Sequence, residues 1–197
     1  MKTVFRFGLL LWIASMLSGC IAPTMYVDRT LPPASKADVV SPAAPAPVQV
    51  LFEFQTKASP NARATASTRD RVMTVIRDSG LFSSISEEPQ ANQRRLTITI
   101  NNFPLTDDAA SKGFGVGLTF GLVGTTVTDG YECKAILSVP GAPPMEFQYK
   151  HALHTTIGNT SPPPGMTPEP SVEEAITKMI QQLVWSIMRD ISKSKAL

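Results

Sequence analysis

The 197-residue chain carries 18 basic and 16 acidic side chains, 43% hydrophobic residues and only two cysteines. A net charge of +2 leaves no basic excess to displace counterions from a polyanion, which argues against nucleic acid as a partner. No run of like charges marks a groove for acidic substrates.

Lys2 and Arg6 open the chain, and no charge then occurs from Phe7 to Cys20. The apolar core of that run is about eleven residues, whereas a bilayer-spanning helix needs about 20. A basic start, a short apolar stretch and the small residues Ser18 and Gly19 form the pattern of a secretory signal that is removed, here residues 1–19. Leu17-Ser18-Gly19-Cys20 resembles the lipobox of bacterial lipoproteins. The resemblance implies that the Cys20 thiol receives a diacylglyceryl group, that cleavage makes Cys20 the first residue, and that its new amino group takes a further fatty acyl chain such as palmitate. Two or more chains anchor stably where one does not. In Gram-negative lipoproteins of this kind an aspartate after the cysteine favours the inner membrane. Position 21 is Ile21, which implies the outer membrane. The competing reading is an ordinary signal peptide with an incidental cysteine.

Loss of Lys2 and Arg6 would leave sixteen basic residues against sixteen acidic ones, a balanced mature chain. With Cys20 lipidated, Cys133 has no partner for an intramolecular disulfide. Residues 20–47 follow as a lipidated cysteine and a Pro/Ala-rich tether, with six prolines between Ile21 and Pro47. As polyproline II it would reach roughly 80 Å at 3.1 Å per residue and let the domain stand off its membrane. The alternative is that Tyr26 or Leu31 packs onto the domain.

Residues 48–193 read as one globular α+β domain, long enough to bury about two thirds of its unfolded surface. In "VQVLFEFQ" Val48, Val50, Phe52 and Phe54 fall on one side and Gln49, Glu53 and Gln55 mostly on the other, the period of a half-buried strand. Ser67–Ser79 switches to helical spacing through Val72, Val75 and Ile76, with Ser67 and Asp70 as a capping arrangement and Gly80 as the C-cap. "RRLTITINNF" alternates again, with Leu96, Ile98 and Ile100 inward. Asp129-Gly130 predicts a two-residue hairpin, and Pro140–Pro144 a second break. Strands are expected over 116–128, 131–139 and 145–157. Ser171 and Glu174 predict a capping box for a last helix with the stripe Val172, Ile176, Met179, Ile180, Leu183, Ile187 and Ile191. The expected architecture is a single mostly antiparallel sheet with two helices packed on one face, in the order β-α-β-β-β-β-α.

His151 and His154 have metal-ligand spacing only on a helix. On a strand an odd separation sends the rings to opposite faces, so structural histidines are the plainer reading. Cys133 falls among Tyr131, Ala135, Leu137 and Val139, as a core residue would, with no local base to activate it. Asp107-Asp108 and Glu87-Glu88 lie near turn signals and read as solvated loop charges.

The stretch "GFGVGLTFGLVG" has no phosphate-binding glycine spacing. As a strand it sets Phe114, Val116, Leu118, Phe120 and Leu122 against Gly115, Gly117, Thr119 and Gly121. The bare face suits close approach by another segment, so Gly113–Gly124 is a candidate surface for self-association or an envelope partner. A twisted core strand and membrane insertion are its competing accounts. Trp185 falls opposite the apolar stripe of the last helix, as an interface anchor or under the loop that precedes the helix.

These features predict a lipid-anchored, periplasm-facing outer-membrane lipoprotein that acts as a binding or assembly accessory factor of the cell envelope. No catalytic residue, metal or cofactor is expected, and Cys20 is the one assigned site. The alternative is a periplasmic enzyme or small-ligand-binding domain with its site near His151 or His154.

Overall fold

The computed structural model describes residues 23–89, 93–106 and 124–194. Cys20, Asp107, Asp108 and nearly all of the Gly113–Gly124 stretch therefore lie outside the described residues. The chain forms β1 (Thr24–Val27), a 3-10 turn (Lys36–Asp38), β2 (Ala46–Thr56), β3 (Ser59–Pro60) and α1 (Ala62–Ser79). Then come β4 (Phe82–Ser86), β5 (Arg94–Pro104), β6 (Thr125–Ser138), β7 (Met145–Ile157) and α2 (Val172–Lys193).

One mixed sheet runs β1-β7-β6-β5-β2-β3, with β4 beside the start of β2. β2 runs parallel to both β4 and β5, and every other pairing is antiparallel. The alternation read in the sequence becomes rows of apolar side chains across the strands. Phe52 stands opposite Ile98, Ile98 opposite Ala135, and Ala135 opposite Phe147. The next row joins Phe54, Ile100, Cys133 and Tyr149. Both helices pack on this face, α1 over β2 and β4, α2 over β7, β6 and β1, and each against the other. The fold is the expected α+β arrangement.

Local chemistry sets the helix ends. Ser171 Oγ accepts from the Glu174 N–H at 3.1 Å, capping α2 as the sequence predicts. Gly80 ends α1 in the left-handed conformation at φ 71°, which costs a residue without Cβ nothing. α1 starts five residues earlier than Ser67, because Asn61 Oδ1 accepts from the Ala64 N–H at 3.0 Å. Ser67 lies inside the helix and donates to the Ala64 carbonyl, so it is no cap.

Two expectations are corrected. Asp129-Gly130 is not a hairpin. Both residues lie within β6, opposite Leu153 and Ala152 of β7 and opposite Pro104 and Phe103 of β5. Pairing on both sides overrides the local turn preference, and a side chain at Gly130 would meet the Phe103 ring and Leu105. The Pro140–Pro144 turn does form, with Ala142 N–H donating to the Val139 carbonyl.

The second correction concerns the tether, whose described part belongs to the domain. Thr24–Val27 pairs antiparallel with Leu153–Thr156 of β7 as an edge strand. Tyr26, Val27, Leu31 and Ala34 are buried. The 3-10 turn lies against α2, where the Val40 N–H donates to Ser192 Oγ. Val184, Ser186 and Met188 are buried although they lie off the predicted stripe of α2, a helix covered by α1 and by this strap as well as by the sheet.

Candidate functional site

β7 sends its two histidines to opposite faces, as their odd spacing requires. His151 points into the core. Its Nδ1 accepts from the Ala152 N–H at 2.9 Å, and its Nε2 lies 2.5 Å from Gln182 Oε1 on α2. A backbone donor on one nitrogen and an amide oxygen on the other assign the proton to Nε2. Burial holds His151 below its ordinary value, against the opposing pull of the Gln182 bond and the Asp28 charge.

His154 faces the other side, paired with Tyr26 across the β1–β7 ladder. Its Nδ1 meets Thr128 Oγ1 at 2.9 Å and its Nε2 meets Asp28 Oδ2 at 3.2 Å. Burial pushes the Asp28 carboxyl up, but bonds from the Thr30 hydroxyl and N–H, together with His154, outweigh it and keep the group below the ordinary carboxylate value. Carboxylate, imidazole and hydroxyl thus form a chain across three strands. Its evident work is structural: it ties β1 to β7 and β6.

Beside Asp28 a cleft of about 390 Å³ is lined by Arg29, Glu169, Lys178 and Gln182 among others. Its charges are committed to one another or to backbone. Lys178 Nζ lies 2.5 Å from Glu169 Oε1, and Arg29 donates to the Gly165 carbonyl at 2.6 Å. Among the described residues no group of three or more His, Cys, Asp or Glu is placed to hold a metal ion. Cys133 is buried, and burial pushes its thiol up to about 12, so the thiolate needed for nucleophilic attack is scarce at neutral pH.

The last turns of α2 hold a further polar group. Arg189 donates to the Tyr149 hydroxyl at 2.8 Å and to Asp190 Oδ1 at 2.9 Å, while Tyr149 donates to Asp190 Oδ2. Burial and the Asp190 carboxylate raise the Tyr149 hydroxyl above its ordinary value. Glu87 and Glu88 are exposed, as expected of loop charges, though Glu87 also pairs with Arg69 of α1. Trp185 is half-buried against the core, which fits coverage better than a free anchor.

The feature no sequence signal announced is a gap in the sheet edge. β4 pairs with β2 only as far as Gln49, and β3 begins opposite Gln55. Among the described residues, Val50 to Phe54 therefore has β5 on one side and no strand on the other. Phe54 turns its peptide groups outward, its N–H donating to Thr65 Oγ1 and its carbonyl accepting from Asn61 N–H. Backbone groups alternate sides along a strand, so those of Phe52, two residues back, face the same edge. A groove of about 370 Å³ opens there, lined by Leu51, Glu53, Thr97 and Thr99, with the Arg69–Glu87 pair at its side.

A pH effect follows from the histidine geometry. Because His151 is held below its ordinary value of about 6.5, its contribution to stability is complete above that pH and is lost as pH falls toward the folded value. Thermal melts of the wild type should lose midpoint between pH 7 and pH 5. His151→Gln should lose less over the same window, and a flat wild-type profile there would contradict the assignment. Asp28 adds a second loss further into acid, below the ordinary carboxylate value.

No family model and no curated relative matches the chain. Solved structures that the chain matches include the PelC dodecamer from Paraburkholderia phytofirmans, 11% identical over 87% of this chain and 98% of that one, with a TM-score of 0.34. An uncharacterised protein is 14% identical over 75% of this chain and 88% of its own, at 0.31. The rare lipoprotein B from Shewanella oneidensis is 9% identical over 74% of this chain and 88% of that one, at 0.29. A rare lipoprotein is thus among the structural neighbours, but at these TM-scores none carries an argument about function. Among the described residues no helix is long and apolar enough to cross a membrane.

Proposed function

We propose that the chain is a lipid-anchored, periplasm-facing lipoprotein of the outer membrane that serves the envelope as a binding or assembly factor. The anchor rests on the lipobox resemblance at Cys20. The binding role rests on one observation, the unpaired edge of β2 beside its groove. Unpaired strand edges are templates for another extended segment, whose main chain supplies affinity while its side chains enter flanking pockets. With Phe54 already bonded to Asn61 and Thr65, the free stretch is Val50–Glu53, four residues or roughly 13 Å at 3.3 Å each. That is room for a short peptide segment.

The histidines support this reading over the enzymatic one, since each ring nitrogen has a fold contact and neither ring is free to face a substrate. Leu51 sits on the rim of the groove at 40% exposure, so its replacement should leave the fold intact. A chain from Pro23 onward, immobilised and challenged with envelope extract, should retain an envelope protein that Leu51→Lys retains at least tenfold less, with unchanged melting temperature. Equal retention by both forms would remove the β2 edge from the account. No retention by either would favour a small-ligand or enzymatic role near His154.

A further inference from the structure

Chain length between the anchor and the fold leads to a second surface. If Cys20 carries the acyl chains, only Ile21, Ala22 and Pro23 separate it from Thr24, the first residue of β1. Four Cα steps of 3.8 Å reach at most about 15 Å. The end of the sheet that holds Thr24 is therefore leashed to the headgroups, and the stand-off of a free tether is lost.

That end is a projection of the sheet. β2 stops at Thr56, whose neighbours across the sheet are Asn102, Tyr131 and His151. β6 begins six residues beyond that row, at Thr125 opposite Ile157, and β1 joins at Thr24 opposite Thr156. Six residues amount to about 20 Å of strand. At the tip Gly124 lies close to the Asn159–Thr160 backbone, which a Cβ there would overlap.

Its chemistry suits a lipid surface. Among the described residues at this end, 23–26, 124–128 and 153–163 contain no Asp, Glu, Lys or Arg, while Asp107, Asp108 and Lys112 fall in the sequence between Thr106 and Gly124, outside the described residues. Charged side chains gather toward the opposite end of the strands, at Arg94, Arg95, Glu87 and Glu146. The described threonines and Asn159 of the tip meet headgroups without stripping water from fixed charges.

We propose that the tip of the β1–β7–β6 projection, around Thr24, Thr125, Thr156 and Asn159, is the face the domain lays against its bilayer. The proposal rests on the lipid anchor at Cys20. It orients the molecule, placing the Pro140–Pro144 turn at the far end of β6, about 43 Å away at 3.3 Å per residue.

The test uses the full acylated chain in phosphatidylcholine vesicles containing a headgroup spin-labelled lipid. A fluorophore is placed at Asn159→Cys or Ala142→Cys, both exposed positions, while Cys133 stays buried. Quenching should be several-fold stronger at 159 than at 142. Inserting twenty Gly/Ser residues after Ala22 should bring 159 down to the level of 142 while co-sedimentation with vesicles is unchanged. Equal quenching at both sites, or stronger quenching at 142, in a chain that sediments overturns the proposal and leaves the anchor standing. A chain that fails to sediment overturns the anchor, and the proposal falls with it.

Discussion

A chain that begins at Val48 is expected to unfold at least 10 °C below one that begins at Pro23, and to aggregate on storage. Composition marks Val48 as the natural start, yet truncation there removes β1 and the strap over α2. The buried side chains of Tyr26, Val27 and Leu31 go with it. At about 1.5–3 kcal/mol for each apolar side chain buried, the gross loss for these three is roughly 4.5–9 kcal/mol. Before the conformational entropy recovered by residues 23–47 is counted, that loss is comparable with a typical stability of about 5–15 kcal/mol.

Truncation also orphans polar groups. His154 loses the Asp28 carboxylate, and the Ala152 carbonyl loses the Asp28 N–H that donates to it at 3.0 Å. β7 becomes a long bare edge, the usual template for aggregation. Urea unfolding of the two chains side by side measures the difference. Equal midpoints would mean that β1 contributes nothing to the fold and would return residues 23–47 to the status of a tether.

What could be read from the sequence follows the strength of local periodicity. β2 and β5 were legible because apolar residues recur at every second position, Val48 to Phe54 and Leu96 to Ile100, and α2 because its stripe runs for five turns with a cap at Ser171. β1 was hidden by its brevity: "TMYV" is four residues flanked by proline-rich sequence, and it becomes a strand only because β7 offers an edge 126 residues away. Asp129-Gly130 failed in the opposite way, since a strong local signal yielded to two long-range ladders. Neither neighbour can be seen in a short window. β3 depends on a turn through Lys57 and Ala58 at φ 51° and 61°, a conformation that neither residue type advertises.

The same division holds for the candidate sites. Strand spacing alone placed His151 and His154 on opposite faces. Their partners Gln182 and Asp28 were out of reach, because they arrive from α2 and from a segment that composition assigns to a tether. The gap in the β2 edge is defined by where β3 and β4 stop. That is a property of two other strands, so the residues of β2 give no sign of it.

The apolar stripe of α2 yields the other large effect, because periodicity treats Val172 and Leu183 alike and the fold does not. They lie eleven residues apart, about 20° out of phase at 100° per residue, on one face. Leu183 is 0% exposed in the middle of the helix, where α2 crosses the sheet, whereas Val172 is 46% exposed in the first turn beside the Ser171 cap. Leu183→Ala should therefore cost about 2–5 kcal/mol, the transfer of a buried side chain plus the cavity it leaves. Val172→Ala should stay within about 0.5 kcal/mol. Urea midpoints at constant m-value would read both. Comparable losses would mean that the first turn of α2 is packed under something beyond the described residues. A small loss at Leu183 would mean that the seam between α2 and the sheet is not the centre of the core.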